Sequence, residues 1–138
     1  MVLPTGEILV GGGTTQTYTS TGTYKTAWAP TISASPSALT RGSTYTISGT
    51  QFNGLSQAAS FGDELETATN YPRGRITNNV THHVFYARSH DHSTMGVATG
   101  TATVSTHFDV PTTMETGASK LEVVANGIPS VAVSVTVQ

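Results

Sequence analysis

Apolar and polar side chains alternate with a period of two over much of this chain. In "LTRGSTYTISG", Tyr45 and Ile47 stand between Thr44, Thr46 and Ser48, which predicts a strand with one buried and one wet face. "KLEVVANGIPSVAVSVTV" is the clearest case: Leu121 and Val123, then Val131, Val133, Val135 and Val137, alternate on either side of the "NGIPS" turn. "GRITNNVTHHVFYARS" predicts a hairpin turning near Asn78-Asn79, with Val84 and Tyr86 on one face of the return strand. "TATVSTHFDVP" predicts a strand ending at Pro111, "QAASFGD" a shorter one, and "APTISASPSAL" a first strand near residues 31–35 followed by a turn at Pro36. No segment sustains a helical period. About seven short strands with regular turn signals predict an all-β domain over residues 30–138, an immunoglobulin-like β-sandwich.

Residues 1–29 follow another pattern. "LPTGEILVGGG" gives a turn at Pro4-Thr5-Gly6, a short apolar strand at Ile8, Leu9 and Val10, then a glycine run. "TQTYTSTGTYKTAWAP" predicts two short strands carrying Tyr18 and Tyr24, joined by a Ser-Thr-Gly turn. These pieces have too few large apolar residues to form a core of their own, so they are expected to pair with some other sheet. Ile8, Leu9, Val10, Tyr18, Tyr24 and Trp28 are the candidate interaction residues, with Trp28 placed at the boundary between the two parts.

Composition narrows the function classes. Charged residues are only 10% of the 138, against roughly 25% in an average globular protein, and Thr, Ser and Gly take their place. The mixture suits an extracellular or cell-surface β-domain. The six basic residues are scattered and the net charge is -2, so nucleic acid is not an expected partner. With no cysteine, disulfides, thiolate metal sites and cysteine nucleophiles are ruled out. No apolar run approaches the roughly 20 residues of a membrane span. The opening "MVLPTGEILVGGG" lacks the basic and apolar blocks of a signal peptide, so any export signal would have to lie upstream, on a longer parent chain.

The strongest chemical signal is "YARSHDHSTMGVATG", where His90, Asp91 and His92 sit together. On a strand, His90 and His92 would share a face about 6–7 Å apart, a spacing at which two imidazoles can chelate zinc or copper. Two ligands need company, and His82, His83 and His107 qualify by type. The competing reading is a polar loop whose side chains cap backbone amides. "THH" at residues 81–83 reads as a solvated turn, and Asn79-Val80-Thr81 matches a glycosylation sequon. "FGDELE" gathers Asp63, Glu64 and Glu66, a pattern that serves glycoside hydrolysis or calcium binding only with partners that are missing here; it reads as a polar loop. The glycine run at 11–13 lacks the spacing of a nucleotide-binding loop. No cofactor is expected. Carbohydrate stays open as a ligand, although no aromatic platform accompanies the carboxylates.

"SGTQFNGLSQ" and "LEVVANGIPS" in particular, within the stretch from Trp28 to Gln138, resemble the early-set immunoglobulin-like C-terminal domain of bacterial kelch-repeat and galactose-oxidase-like proteins. "LPTGEILVGGG" is similar to the last strand of a kelch propeller blade. The resemblance implies that Gly42 and Gly49 bracket one strand, that Phe52 plugs an end of the core and that Asn53-Gly54 forms a tight turn. It further implies a non-catalytic sandwich packing on a propeller or another subunit. In the copper radical oxidases a histidine from this domain reaches a copper held mostly by the propeller. This chain, without cysteine or propeller, would carry at most one such ligand, and "RSHDHSTMG" departs from the oxidases' pattern. Two other readings stand beside it. One is a self-assembling subunit whose N-terminal strands pair with a neighbouring chain as an oligomer or filament; the other is a metal-binding module, or a fragment of a copper radical oxidase-like enzyme, using His90 and His92.

Overall fold

A computed structural model describes residues 1–57 and 70–138. The "QAASFGD" strand and the acidic group Asp63, Glu64 and Glu66 lie essentially outside the described residues. The described strands are β1 (Ile8–Val10), β2 (Gln16–Tyr18), β3 (Thr31–Ala34), β4 (Ala38–Leu39), β5 (Thr44–Thr50), β6 (Arg73–Asn78), β7 (Val84–His90), β8 (Val104–Asp109), β9 (Gly117–Ala125), β10 (Ile128–Pro129) and β11 (Val133–Val137).

β3 to β11 build two layers. One runs β3-β5-β8-β7 and the other β7-β6-β9-β11-β4, with β10 folded back on β9. β7 belongs to both: Val84–Ala87 pairs with β6, and Arg88–His90 pairs with β8. Numbering the principal strands β3, β5, β6, β7, β8, β9 and β11 from first to seventh, one layer is ordered first-second-fifth-fourth and the other groups the third, sixth and seventh. That is the strand order of the immunoglobulin-like sandwich. β4 runs parallel to β11, so the first part of the chain contributes an edge to each layer.

The expected alternation holds in β5. Ile47 is buried and Tyr45 packs beside it, its ring 6.1 Å from that of Phe108, while Thr44 and Thr46 are exposed. Leu39, Phe52, Ile76, Phe108, Leu121 and Val137 form the centre of the core. Asn126 and Gly127 both take positive φ, 49° and 77°, between the paired Ala125 and Ile128. This is the left-handed pair that an Asn-Gly hairpin turn supplies. Phe52 does close one end of the core: it is 2% exposed. Its ring lies against Gly49, where a Cβ would fall 1.7 Å from the Thr31 carbonyl oxygen and 2.7 Å from the Phe52 ring. The glycine is what lets β3 approach β5.

Three details of the reading change. Val84 and Tyr86 do share a face of β7, but it is the outer one; Phe85 and Ala87 point inward. Val131 is 84% exposed and precedes β11, which starts at Val133. The second strand of the tyrosine hairpin does not form: β2 pairs with β1 across the glycine run, and Tyr24 leads into a single 3-10 turn at Thr26–Trp28.

The N-terminal segment forms its own two-stranded sheet, extended by a bridge from Val2 to Ile8 and by reciprocal backbone bonds between Met1 and Leu9. It lies against the turn after β9. Met1 to Pro4 line a hollow with Tyr71, Arg73 and Val124, and Val124 is only 2% exposed although alternation assigns it to the outer face. Contact is closest at Gly127, where a Cβ would stand 2.4 Å from the Gly6 Cα.

Two substitutions separate these packings. Gly49→Ala forces β3 off β5, with an expected loss on the order of 3 kcal/mol. Gly127→Ala lifts the N-terminal turn and strains the left-handed position of the β9–β10 turn, with a smaller expected loss of about 1–2 kcal/mol, while amide exchange at Leu9 accelerates. Thermal denaturation and hydrogen exchange on both variants check this. Equal effects of the two changes on melting would contradict it.

Candidate functional site

The histidine motif falls at the end of β7, where the ladder to β8 changes register. His90 stands opposite His107. Beyond it, Ser93 N–H donates to the Ser105 carbonyl at 2.9 Å and Ser105 N–H donates to Ser93 Oγ at 2.8 Å. Two residues, Asp91 and His92, therefore oppose the single Thr106. This is a β-bulge, and Asp91 carries the left-handed φ of 49° that aspartate tolerates better than most residues.

The bulge re-aims the side chains. In an unbroken strand, His90 and His92 would share a face and Asp91 would take the other. Here Asp91 joins His90 and His107 on the outer face. Asp91 Oδ2 lies 2.9 Å from His90 Nδ1 and 3.5 Å from His107 Nδ1, and the two imidazole rings are 5.7 Å apart. One donor atom from each of His90, Asp91 and His107 falls within 4.8 Å of the others. These three are the described residues whose geometry could hold a metal ion. His92 points inward instead. Its Nδ1 is 2.8 Å from Thr106 Oγ1, in a position beside the Tyr71 ring. The Thr106 hydroxyl hydrogen serves the carbonyls of His90 or His107, at 3.1 and 3.0 Å, so Thr106 accepts from His92 Nδ1–H. Burial lowers the His92 pKa, consistent with a neutral ring.

A fourth group completes the cluster. Asp109 Oδ1 is 3.0 Å from His90 Nε2 and accepts from Thr44 Oγ1 at 2.7 Å. Arg88 lies 3.9 Å from its other oxygen. Arg88 and His90 are two apart on β7, and His107 and Asp109 two apart on β8, so all four project from the outer face. The sequence reading did not connect Arg88 and Asp109 with the motif. The outward alternation of "ARSH" and "THFD" was the signal that could have done so.

Electrostatics follow from the geometry. Hydrogen bonds to Asp91 and then Asp109 raise the His90 pKa above the ordinary 6.5. The bond to His90 lowers Asp91, and bonds from Thr44 and His90 lower Asp109. With a carboxylate on each ring nitrogen, His90 has no nitrogen free to activate a nucleophile. The arrangement suits charge pairing or cation binding better than acid–base chemistry.

The other singled-out residues lie apart. His83 Nδ1 is 2.7 Å from Glu115 Oε1 in the exposed β6–β7 turn, and His82 takes a φ of 61° there. The loop after the bulge is anchored by Asn53, whose amide donates to the carbonyls of Thr94 and Gly96 at 2.7 and 3.2 Å. Ile8 and Leu9 are half-buried, whereas Val10, Tyr18 and Tyr24 are at least half exposed. Trp28, 39% exposed, lines a hollow with Gly54, Leu55, Ala125 and Ile128. No helix of the described residues is long and apolar enough to cross a membrane.

No protein-family profile matches the chain, and no curated protein does. Among solved structures, it is similar to the crystal structure of the Lin-41 filamin domain, with 13% identity and a TM-score of 0.40 over 79% of this chain and 91% of that one. The strand order, rather than this likeness, establishes the fold.

The cluster predicts a pH window. His90 has a raised folded-state pKa, so its contribution to stability is complete below about 6.5 and is lost as pH rises through the folded value. Asp91 and Asp109 have lowered values, so theirs is present above about 4 and is lost as pH falls through the folded values. In metal-free buffer, the stability advantage of the wild type over Asp109→Asn is expected to be widest between these limits. The His90 titration midpoint, followed by NMR, should drop in that variant; an unchanged midpoint would refute the pairing.

Proposed function

We propose that the chain is a non-catalytic structural and interaction domain of an extracellular or cell-surface bacterial protein. In this reading the sandwich of residues 30–138 packs on a propeller or on another subunit, and residues 1–29 supply a propeller-blade-like strand segment. The observation that carries it is the N-terminal hairpin. β2 is hydrogen-bonded to β1 alone among the described strands, and all three of its residues are exposed. A short sheet with an open edge is a site for strand addition. Exposed Val10, Tyr18 and Tyr24 lie on the same segment, and exposed aromatic side chains of this kind anchor protein interfaces.

The reading has two forms, distinguished by the origin of the partner sheet. It belongs either to a propeller of the parent chain or to a second copy of this domain. The second form is supported by the isolation of β1 and β2 from the sandwich ladders, since a strand pair that closes on nothing within its own fold can pair with its counterpart in a neighbour.

The test is a concentration series by size-exclusion chromatography with light scattering, together with amide exchange over Gln16–Tyr18. For copies pairing through this edge, mass rises with concentration and exchange at these amides slows. The double substitution Tyr18→Asp and Tyr24→Asp abolishes both effects without changing the melting temperature. A monomer at every concentration removes the self-pairing form. An associated species indifferent to the double substitution places the interface elsewhere.

A further inference from the structure

We propose that His90, Asp91 and His107 form a binding site for a divalent, imidazole-preferring cation, Zn²⁺ being the representative ion, on the outer face of the sandwich. It goes beyond the interaction role and does not depend on it.

The donor set fits the ion. Zinc takes imidazole nitrogen and carboxylate oxygen at about 2.0–2.2 Å, so neighbouring ligands on one tetrahedral ion stand about 3.4 Å apart. The distances from Asp91 Oδ2 to His90 Nδ1, 2.9 Å, and to His107 Nδ1, 3.5 Å, bracket that value, and the three donor atoms converge within 4.8 Å. Both histidines come from the framework of the fold, paired across β7 and β8. The third ligand is delivered by the bulge, which turns Asp91 onto the histidine face.

The outer partners point the same way. A ligating histidine characteristically gives its second ring N–H to a carboxylate, which fixes the tautomer and orients the lone pair. His90 has that partner: Nε2 is 3.0 Å from Asp109 Oδ1, and Asp109 is itself held by Thr44 Oγ1 at 2.7 Å. Asp109 is therefore a positioning residue, acting through His90. Asp91 is 72% exposed, so ions enter from solvent without opening the fold. Three protein ligands leave a tetrahedral position for water.

This assignment differs from a His90/His92 pair in a testable way, because His92 Nδ1 is committed to Thr106 on the opposite face. Titration of the full chain with ZnCl₂ is followed by calorimetry and by ¹H–¹⁵N NMR, with Co²⁺ substitution to report tetrahedral ligand-field bands. One ion per chain is expected, with shifts centred on His90, Asp91 and His107. His107→Ala and Asp91→Asn abolish this binding, and Asp109→Asn weakens it about 10–100-fold. His92→Ala and His83→Ala leave it unchanged. Asp91→Asn alters an exposed side chain, so it stays informative if His107→Ala misfolds. Absence of one-to-one binding overturns the site. So does binding that survives Asp91→Asn and His107→Ala, or that is lost with His92→Ala or His83→Ala.

Discussion

β7 is hydrogen-bonded into both layers of the sandwich, and the rest of the fold depends on that sharing. Its first half closes the layer of β6, β9 and β11; its second half closes the layer of β5 and β8. A single strand can serve two layers only if its inward side chains suit the core throughout and its backbone bends between them. Phe85 and Ala87 meet the first condition, with Ala87 fully buried beside Gly74, where a Cβ would lie 3.3 Å from that of Ala87. Small residues at this crossing let the layers approach where they merge. The bulge immediately after it then releases the chain from the ladder. The histidine cluster thus stands where the strand that joins the layers ends.

Much of the fold was legible because the signals were local and periodic. The alternation over residues 44–48 and the Asn-Gly turn each express a constraint contained in a few consecutive residues, whereas the plug at Phe52 was an implication of the family resemblance. The candidate site was legible only in part. His90 and Asp91 announce themselves, but their partner His107 is 17 positions away, and cross-strand register is not written in either strand alone. The bulge was hidden for the same reason. Nothing in "SHDHS" shows that Asp91 takes a left-handed conformation; that follows from the opposing strand being one residue shorter. His92, expected beside His90, goes to the other face because of that one residue. Val131 failed differently: it continues a perfect alternation with Val133, yet hydrophobic periodicity does not fix where a strand begins.

Val124 shows how the N-terminal segment is bound to the sandwich. Its place on β9 assigns it to the outer face, where an uncovered valine would be wet. It is nonetheless only 2% exposed, and it lines one hollow together with Met1 to Pro4, Tyr71 and Arg73. Covering one valine-sized side chain is worth about 1.5–3 kcal/mol, far less than a domain core. The attachment depends as much on shape, because two glycines let the Pro4 turn and the Asn126 turn come together.

The two features that point to function lie on different layers. The N-terminal segment lies against the end of β9 and the turn that follows it, whereas the histidine cluster projects from the outer face of β7 and β8. Among the described residues, Phe52, Phe108, Ile76 and Leu121 fill the space between the layers, and both features lie outside it. β8 makes the division plain: Val104, Thr106 and Phe108 are buried, and Ser105, His107 and Asp109 face out. Packing of the inward set fixes the outward set to the same backbone, which gives the cluster a rigid base without borrowing any residue from the N-terminal segment. Occupying one face therefore need not disturb the other. A domain of this build can be joined to a neighbouring sheet through β1 and β2 while keeping the His90–His107 face open to solvent.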